Sequence, residues 1–164
     1  MAHWTKPNHN MVAEYQASSM PFVTSSQTSE VDSSTPTSIH FPGVTRWMQI
    51  TNTGDADLRI GFTSNGVQSK GATTGSNAVD GVDLSDNLGY AKGAGKADHA
   101  NYYLLKAPST STHESTVRWE IKCNKVFFLA DSGDTDFTMI AGITNIPNDG
   151  FVHLSGSNGY RGVG

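Results

Sequence analysis

The chain has 164 residues, of which 36% are hydrophobic and only 16% charged, with a formal net charge of −4. That is the size of one ordinary domain, and the acidic balance disfavours a polyanion-binding surface. A single cysteine, Cys123, excludes an intramolecular disulfide, and the longest clean apolar run, 126–130, is far short of the ~20 residues a membrane helix needs. Abundant Gly, Ser and Thr in place of Glu, Lys and Arg point to turns and strands rather than surface helices. The start, MAHWTKPNHN, lacks the apolar stretch of a signal peptide, and no Asn-x-Ser/Thr acceptor occurs. The expectation is a soluble protein that folds in a reducing compartment.

Residues 1–36 are polar and rich in Ser and Thr. Their apolar members (Trp4, Met11, Val12, Tyr15, Met20, Phe22, Val23) show no sustained period. Such a segment buries too little to fold alone, so it reads as an extended polar N-terminal arm that docks on something else. Its charges are Lys6 against Glu14, Glu30 and Asp32, a net of 1 − 3 = −2. A genome-packaging arm would instead be dense in Arg and Lys.

From residue 37 the pattern alternates. Leu58, Ile60 and Phe62 alternate with Arg59, Gly61 and Thr63; Val117, Trp119, Ile121 and Cys123 alternate with Arg118, Glu120 and Lys122. Period 2 with one apolar face predicts half-buried antiparallel strands. Turn signals fall between them, as in Asn52-Thr53-Gly54-Asp55 and Asp131-Ser132-Gly133-Asp134. Eight strands are expected, at 38–42, 45–52, 57–64, 101–106, 115–123, 125–130, 135–144 and 149–155. They fit an all-β fold, a single eight-stranded antiparallel jelly-roll sandwich over residues 37–164. An immunoglobulin-type sandwich is the rival, but its Cys…Trp…Cys spacing is missing. Residues 65–100 form a long loop insertion, far beyond the usual ~4–6 residues, and 156–164 a Gly-rich tail.

No catalytic signature is present. Ser155-Gly156-Ser157-Asn158-Gly159 has Ser where a nucleophile elbow needs its first Gly. Gly93-Ala94-Gly95-Lys96-Ala97-Asp98 fails the dinucleotide motif at Asp98 and the phosphate-binding loop at Tyr90 and Ala97. Of the histidines (His3, His9, His40, His99, His113, His153), none has helical metal-ligand spacing. His40 and His153 sit on the expected first and last strands, and a pair of strand histidines is more often structural. Asp80, Asp83 and Asp86 recur every three residues without the ligand pattern of a calcium loop, so they read as turn residues. Cys123, Met48, Met139 and Trp119 read as core. The expectation is a non-enzyme with no catalytic residue, no cofactor and no metal.

Certain stretches resemble a known family. Phe41-Pro42-Gly43-Val44-Thr45-Arg46-Trp47, ITNTG (50–54), LRIGFTSNGV (58–67), NYYLL (101–105), VRWEIKCNKVFFL (117–129), MIAGITNI (139–146) and LSGSNGYRGVG (154–164) are similar to small single-jelly-roll capsid proteins of large icosahedral double-stranded DNA viruses. The similarity covers roughly 38–164 and implies a virion structural protein without enzymatic activity. It further implies a penton, five copies closing a fivefold vertex, or otherwise a minor or decorating capsid protein. Implied partners are further copies in a homopentamer, the double jelly-roll major capsid protein and other minor capsid proteins, with no direct nucleic acid and no transmembrane segment. The implied location is the virion, assembled in the host cell interior. The arm would order itself on a neighbouring subunit, and the tail would dock through Tyr160 and Arg161, residue types favoured at interface hot spots. The alternative from the residues is a glycan-binding jelly roll of a spike, fibre or decoration protein, with Tyr90, Tyr102 and Tyr103 stacking sugars and Asp80, Asp83 and Asp86 holding Ca²⁺.

Overall fold

Alternation along the chain builds two antiparallel sheets. The structure, a computed structural model, describes residues 20–28, 30–68, 102–108 and 114–151. Its strands are β1 (Met20–Ser25), β2 (Thr37–His40), β3 (Thr45–Asn52), β4 (Leu58–Gly61), β5 (Tyr103–Leu105), β6 (Thr116–Trp119), β7 (Lys125–Ala130) and β8 (Phe137–Ile143). A five-residue helix, α1 (Ser64–Gln68), follows β4, and a 3-10 turn at Asn148–Gly150 follows β8. One sheet has the order β1-β8-β3-β6, the other β2-β7-β4-β5, and every pairing is antiparallel.

The apolar faces of the two sheets meet. Met48, Ile50, Met139 and Ala141 from the first sheet join Leu58, Ile60, Val126 and Phe128 from the second in one buried cluster. Each full-sized side chain buried in this way is worth about 1.5–3 kcal/mol. Phe128 and Phe137 stack across the gap with ring centroids 4.1 Å apart. The turns at one end are cross-tied. Asn52 Oδ1 accepts from Gly54 N at 3.1 Å and from the Thr135 hydroxyl at 2.9 Å, while its Nδ2 donates to Ala56 O at 2.8 Å. Gly54 packs so closely on the β7–β8 turn that a Cβ there would lie 2.5 Å from Asp136 N and 2.8 Å from Thr135 Cα.

The sequence reading is corrected at both ends of the sandwich. Residues 20–25, expected in the arm, are a paired strand, and Val31 is fully buried and bridges Thr135. Phe22 turns inward and meets Phe41 edge to face at 5.2 Å, while Val23 turns outward. Pro21 hid this strand from the sequence, because proline is tolerated only at sheet edges, which is where β1 lies. At the other end, the expected strand 149–155 begins as a 3-10 turn, and residues 152–155 lie outside the described residues.

Five other strands are shorter than expected, among them the one expected at 38–42, found at 37–40, and the one expected at 135–144, found at 137–143. The strand expected at 57–64 ends at Gly61, because the Thr63 hydroxyl accepts from Gly66 N at 2.9 Å and caps α1. The strand expected at 101–106 covers 103–105. The one expected at 115–123 stops at Trp119, and near that point β3 has a bulge against β8, between Thr45 and Trp47. Beyond that bulge Thr45 N bonds Cys123 O at 2.9 Å in place of a continued ladder.

A chain beginning at residue 20 should therefore melt cooperatively, and one beginning at residue 37 should not. The shorter chain loses β1 and Val31 and bares the edge of β8 that β1 pairs. Thermal unfolding followed by circular dichroism of the two truncations tests this.

Candidate functional site: the bare face and the covered face

The two sheets carry different outer surfaces. On the β1-β8-β3-β6 sheet, registration places side chains in rows. Ser25, Thr138, Thr51 and Thr116 form one row, and Val23, Ile140, Gln49 and Arg118 the next; Pro21, Gly142 and Trp47 form a third. Thr51 and Thr116 share a hydroxyl hydrogen bond of 2.9 Å. The Arg118 guanidinium lies 4.5 Å from the Trp47 ring centre and bonds Glu120 at 3.0 Å. That ion pair is solvent-exposed and worth little. Toward β1 the face turns apolar, with Val23 67% and Ile140 37% exposed.

The outer face of the β2-β7-β4-β5 sheet is partly covered. Arg59 turns outward by the alternation of β4 yet is only 5% exposed. Its Nε donates to Asp131 Oδ1 at 2.6 Å, a terminal nitrogen reaches the same oxygen, and the other donates to Val67 O at 3.4 Å. The guanidinium also lies 4.6 Å from the Tyr102 ring centre. Val67 belongs to α1, where the chain leaves the described sandwich, and Tyr102 marks its return into β5. One buried cation thus ties both ends of the long insertion to β4 and to the β7–β8 turn. Its hydrogen-bonding groups are engaged, as a buried charge requires.

The candidate residues fall as follows. Cys123 is fully buried, its thiol 3.4 Å from the Thr45 hydroxyl. Burial pushes this thiol up from its usual 9.0 to about 11, against the opposing hydrogen bond from Thr45. Met48 and Met139 are core; Trp119 is half-buried against the core, with Tyr103 edge-on at 5.2 Å. Tyr103 is exposed beside Trp119, while Tyr102 covers Arg59 on the other side of the sheet, so these two rings do not form one stacking platform. His40 is exposed at the end of β2. Tyr90, Tyr160, Arg161, Asp80, Asp83, Asp86 and His153 lie outside the described residues, as do most of the 65–100 insertion and the 156–164 tail. Among the described residues no group of three His, Cys, Asp or Glu side chains is placed to hold a metal, and no helix is long and apolar enough to cross a membrane.

Sequence reasoning missed two features of this surface. Arg59 occupied a polar position of an alternating strand, and only the tertiary cover over β4 makes it buried. Val23 and Ile140 are adjacent through a strand pairing across more than one hundred residues, for which local pattern carries no signal. No family model, curated protein or solved structure matches the chain.

Two outcomes follow from these sites. Arg59→Ala should cost about 1–3 kcal/mol in urea unfolding, the range for losing a charged hydrogen-bonding group from a buried site, whereas Arg118→Ala should be within about 0.5 kcal/mol of neutral. Cys123 should resist thiol reagents at pH 8 until the chain is unfolded. Its unfolded thiol ionises near 9 while the folded one keeps its proton to about 11. The stability tied to it is therefore complete below pH 9 and is lost as pH rises toward 11. Cys123→Ala should remove that part of the alkaline decline in unfolding midpoint.

Proposed function

We propose that the protein is a virion structural subunit, a single jelly roll that assembles as the homopentameric penton of an icosahedral capsid. The observation that carries this reading is the strand order. Numbered along the chain, the described strands run 1-8-3-6 and 2-7-4-5, so β1 lies beside β8 in one sheet and β2 beside β7 in the other. We read that winding as a jelly roll, an architecture used by viral capsid and lectin domains. The motifs quoted above supply the family direction, and the absence of a catalytic signature in the sequence agrees with a scaffold role.

In this reading the subunit works by burying complementary surfaces. A ring of five is a heterologous interface closed by a 72° rotation, so two different patches of each copy meet. The ring would sit in the virion among double jelly-roll major capsid protein and other minor capsid proteins, without touching nucleic acid. Assembly would take place inside the host cell. The glycan-binding alternative gains no support from Tyr102 and Tyr103, which face opposite sides of the sheet.

Native mass spectrometry of the full chain tests the reading. A species of five times the 17.5 kDa protomer is expected, together with density for this chain at the fivefold vertices in particle images. A protein that stays monomeric at high concentration and is absent from the vertices contradicts it.

A further inference from the structure

Among the described residues β1 has a neighbour on one side only, β8. In an antiparallel ladder alternate residues aim their N–H and C=O at the same neighbour. Ser26 N donates to Phe137 O, directly opposite it, at 2.9 Å. Counting back from Ser26, the even-numbered residues of β1 bond β8, and Pro21, Val23 and Ser25 direct their backbone groups away from the sheet. Pro21 lacks an N–H, which is tolerable on that free side alone.

Exposed edges are normally blunted by charge, brevity or cover. Strand β6 carries Arg118, β5 has three residues, and β2 has four and ends on His40. Strand β1 has six residues, no charged side chain, and exposes Met20 at 55% and Val23 at 67%. Proline apart, it shows none of these defences among the described residues.

We propose that β1 pairs antiparallel with β1 of a second copy of this chain, across a two-fold axis at Val23, joining two four-stranded sheets into one of eight strands. The register is self-complementary. Val23 meets the partner's Val23 with both backbone bonds made, and Pro21 C=O accepts from the partner's Ser25. On the outer face Ile140 and Val23 then continue into the partner's Val23 and the partner's Ile140, so the exposed apolar pair of each copy is covered by its own equivalent.

Charge selects the same orientation. At the end where β1 finishes, the connections carry Glu30, Asp32, Asp134 and Asp136; the bases there, Arg59 and Lys106, are matched by Asp131 and Asp57. At the end where β1 starts, Arg46, Lys122 and Lys125 outnumber Glu120 and Asp149 among the described residues. An antiparallel pair lays each acidic end beside a basic end, whereas a parallel pair would set like ends together. This inference is independent of the capsid reading, because a two-fold contact uses a different symmetry from the five-copy ring.

Cross-linking the full chain tests it. The two positions 23 would lie about 5.5 Å apart at their Cα atoms, within reach of a disulfide, while position 25 faces the partner's position 21 and lies four residues from the partner's position 25. Under mild oxidation Val23→Cys should give a covalent dimer and Ser25→Cys should not, and the Pro21→Cys/Ser25→Cys double variant should cross-link again. In sedimentation equilibrium Val23→Lys should weaken self-association at least tenfold. No cross-link at position 23, equal cross-linking at 23 and 25, or unchanged association of Val23→Lys would overturn the proposal. So would a monomeric full chain that dimerises only after deletion of residues 1–19, since its own N-terminal segment would then be the occupant. A five-copy ring unaffected by Val23→Lys keeps the capsid reading and removes this one; a position-23 dimer without any ring does the reverse.

Discussion

Strand β8 holds the sandwich together. It lies between β1 and β3, and its inward side chains Phe137, Met139, Ala141 and Ile143 are all buried. Both of its ladders join residues far apart in the chain, from Ser25 with Thr138 (138 − 25 = 113 positions) to Asn52 with Phe137 (137 − 52 = 85 positions). No local hairpin can therefore build the first sheet. Residues 20–25 and 45–52 must both be brought to residues 137–143 to form this sheet, and the loop-closure entropy of that step precedes any reward from packing. The second sheet has the same dependence at shorter range, with β7 lying between β2 and β4.

That constraint explains what could be read from the sequence. The period of two along Leu58–Gly61 and Thr116–Trp119 exposed the strands directly, and the apolar members Leu58, Ile60 and Val117 do face the core. Cys123, Met48 and Met139 were legible as core for the same reason. Strand β1 was not legible, because its inward member Phe22 is flanked by Pro21 and by Ser and Thr, and its neighbour β8 lies more than a hundred residues away. The burial of Arg59 was not legible either, because alternation specifies a face, and only tertiary structure decides whether that face is covered. The interaction surface on β1 and β8 was invisible for both reasons, since it needs the strand and the long-range pairing together.

The two outer faces then differ for a physical cause. Where the chain departs after β4, a capped helical turn and Tyr102 close over Arg59, and the guanidinium finds acceptors in Asp131 and Val67. That side is covered at Arg59 within one copy. The opposite sheet receives no such cover among the described residues, and its hydroxyl row, its Trp47–Arg118 contact and its apolar margin at Val23 and Ile140 stay accessible. Among the described residues, the exposed aliphatic side chains Met20, Val23 and Ile140 gather at the β1–β8 margin of that face.

The central claim is that β1 lies beside β8, which gives the order 1-8-3-6. Cross-strand Hα–Hα nuclear Overhauser effects on the labelled full chain test it most directly. The account predicts a close contact between Val23 and Ile140, a pair that exchanges no backbone hydrogen bond. A spectrum in which β8 shows cross-strand contacts to β3 alone, with Val23 contacting no residue of Phe137–Ile143, would contradict it.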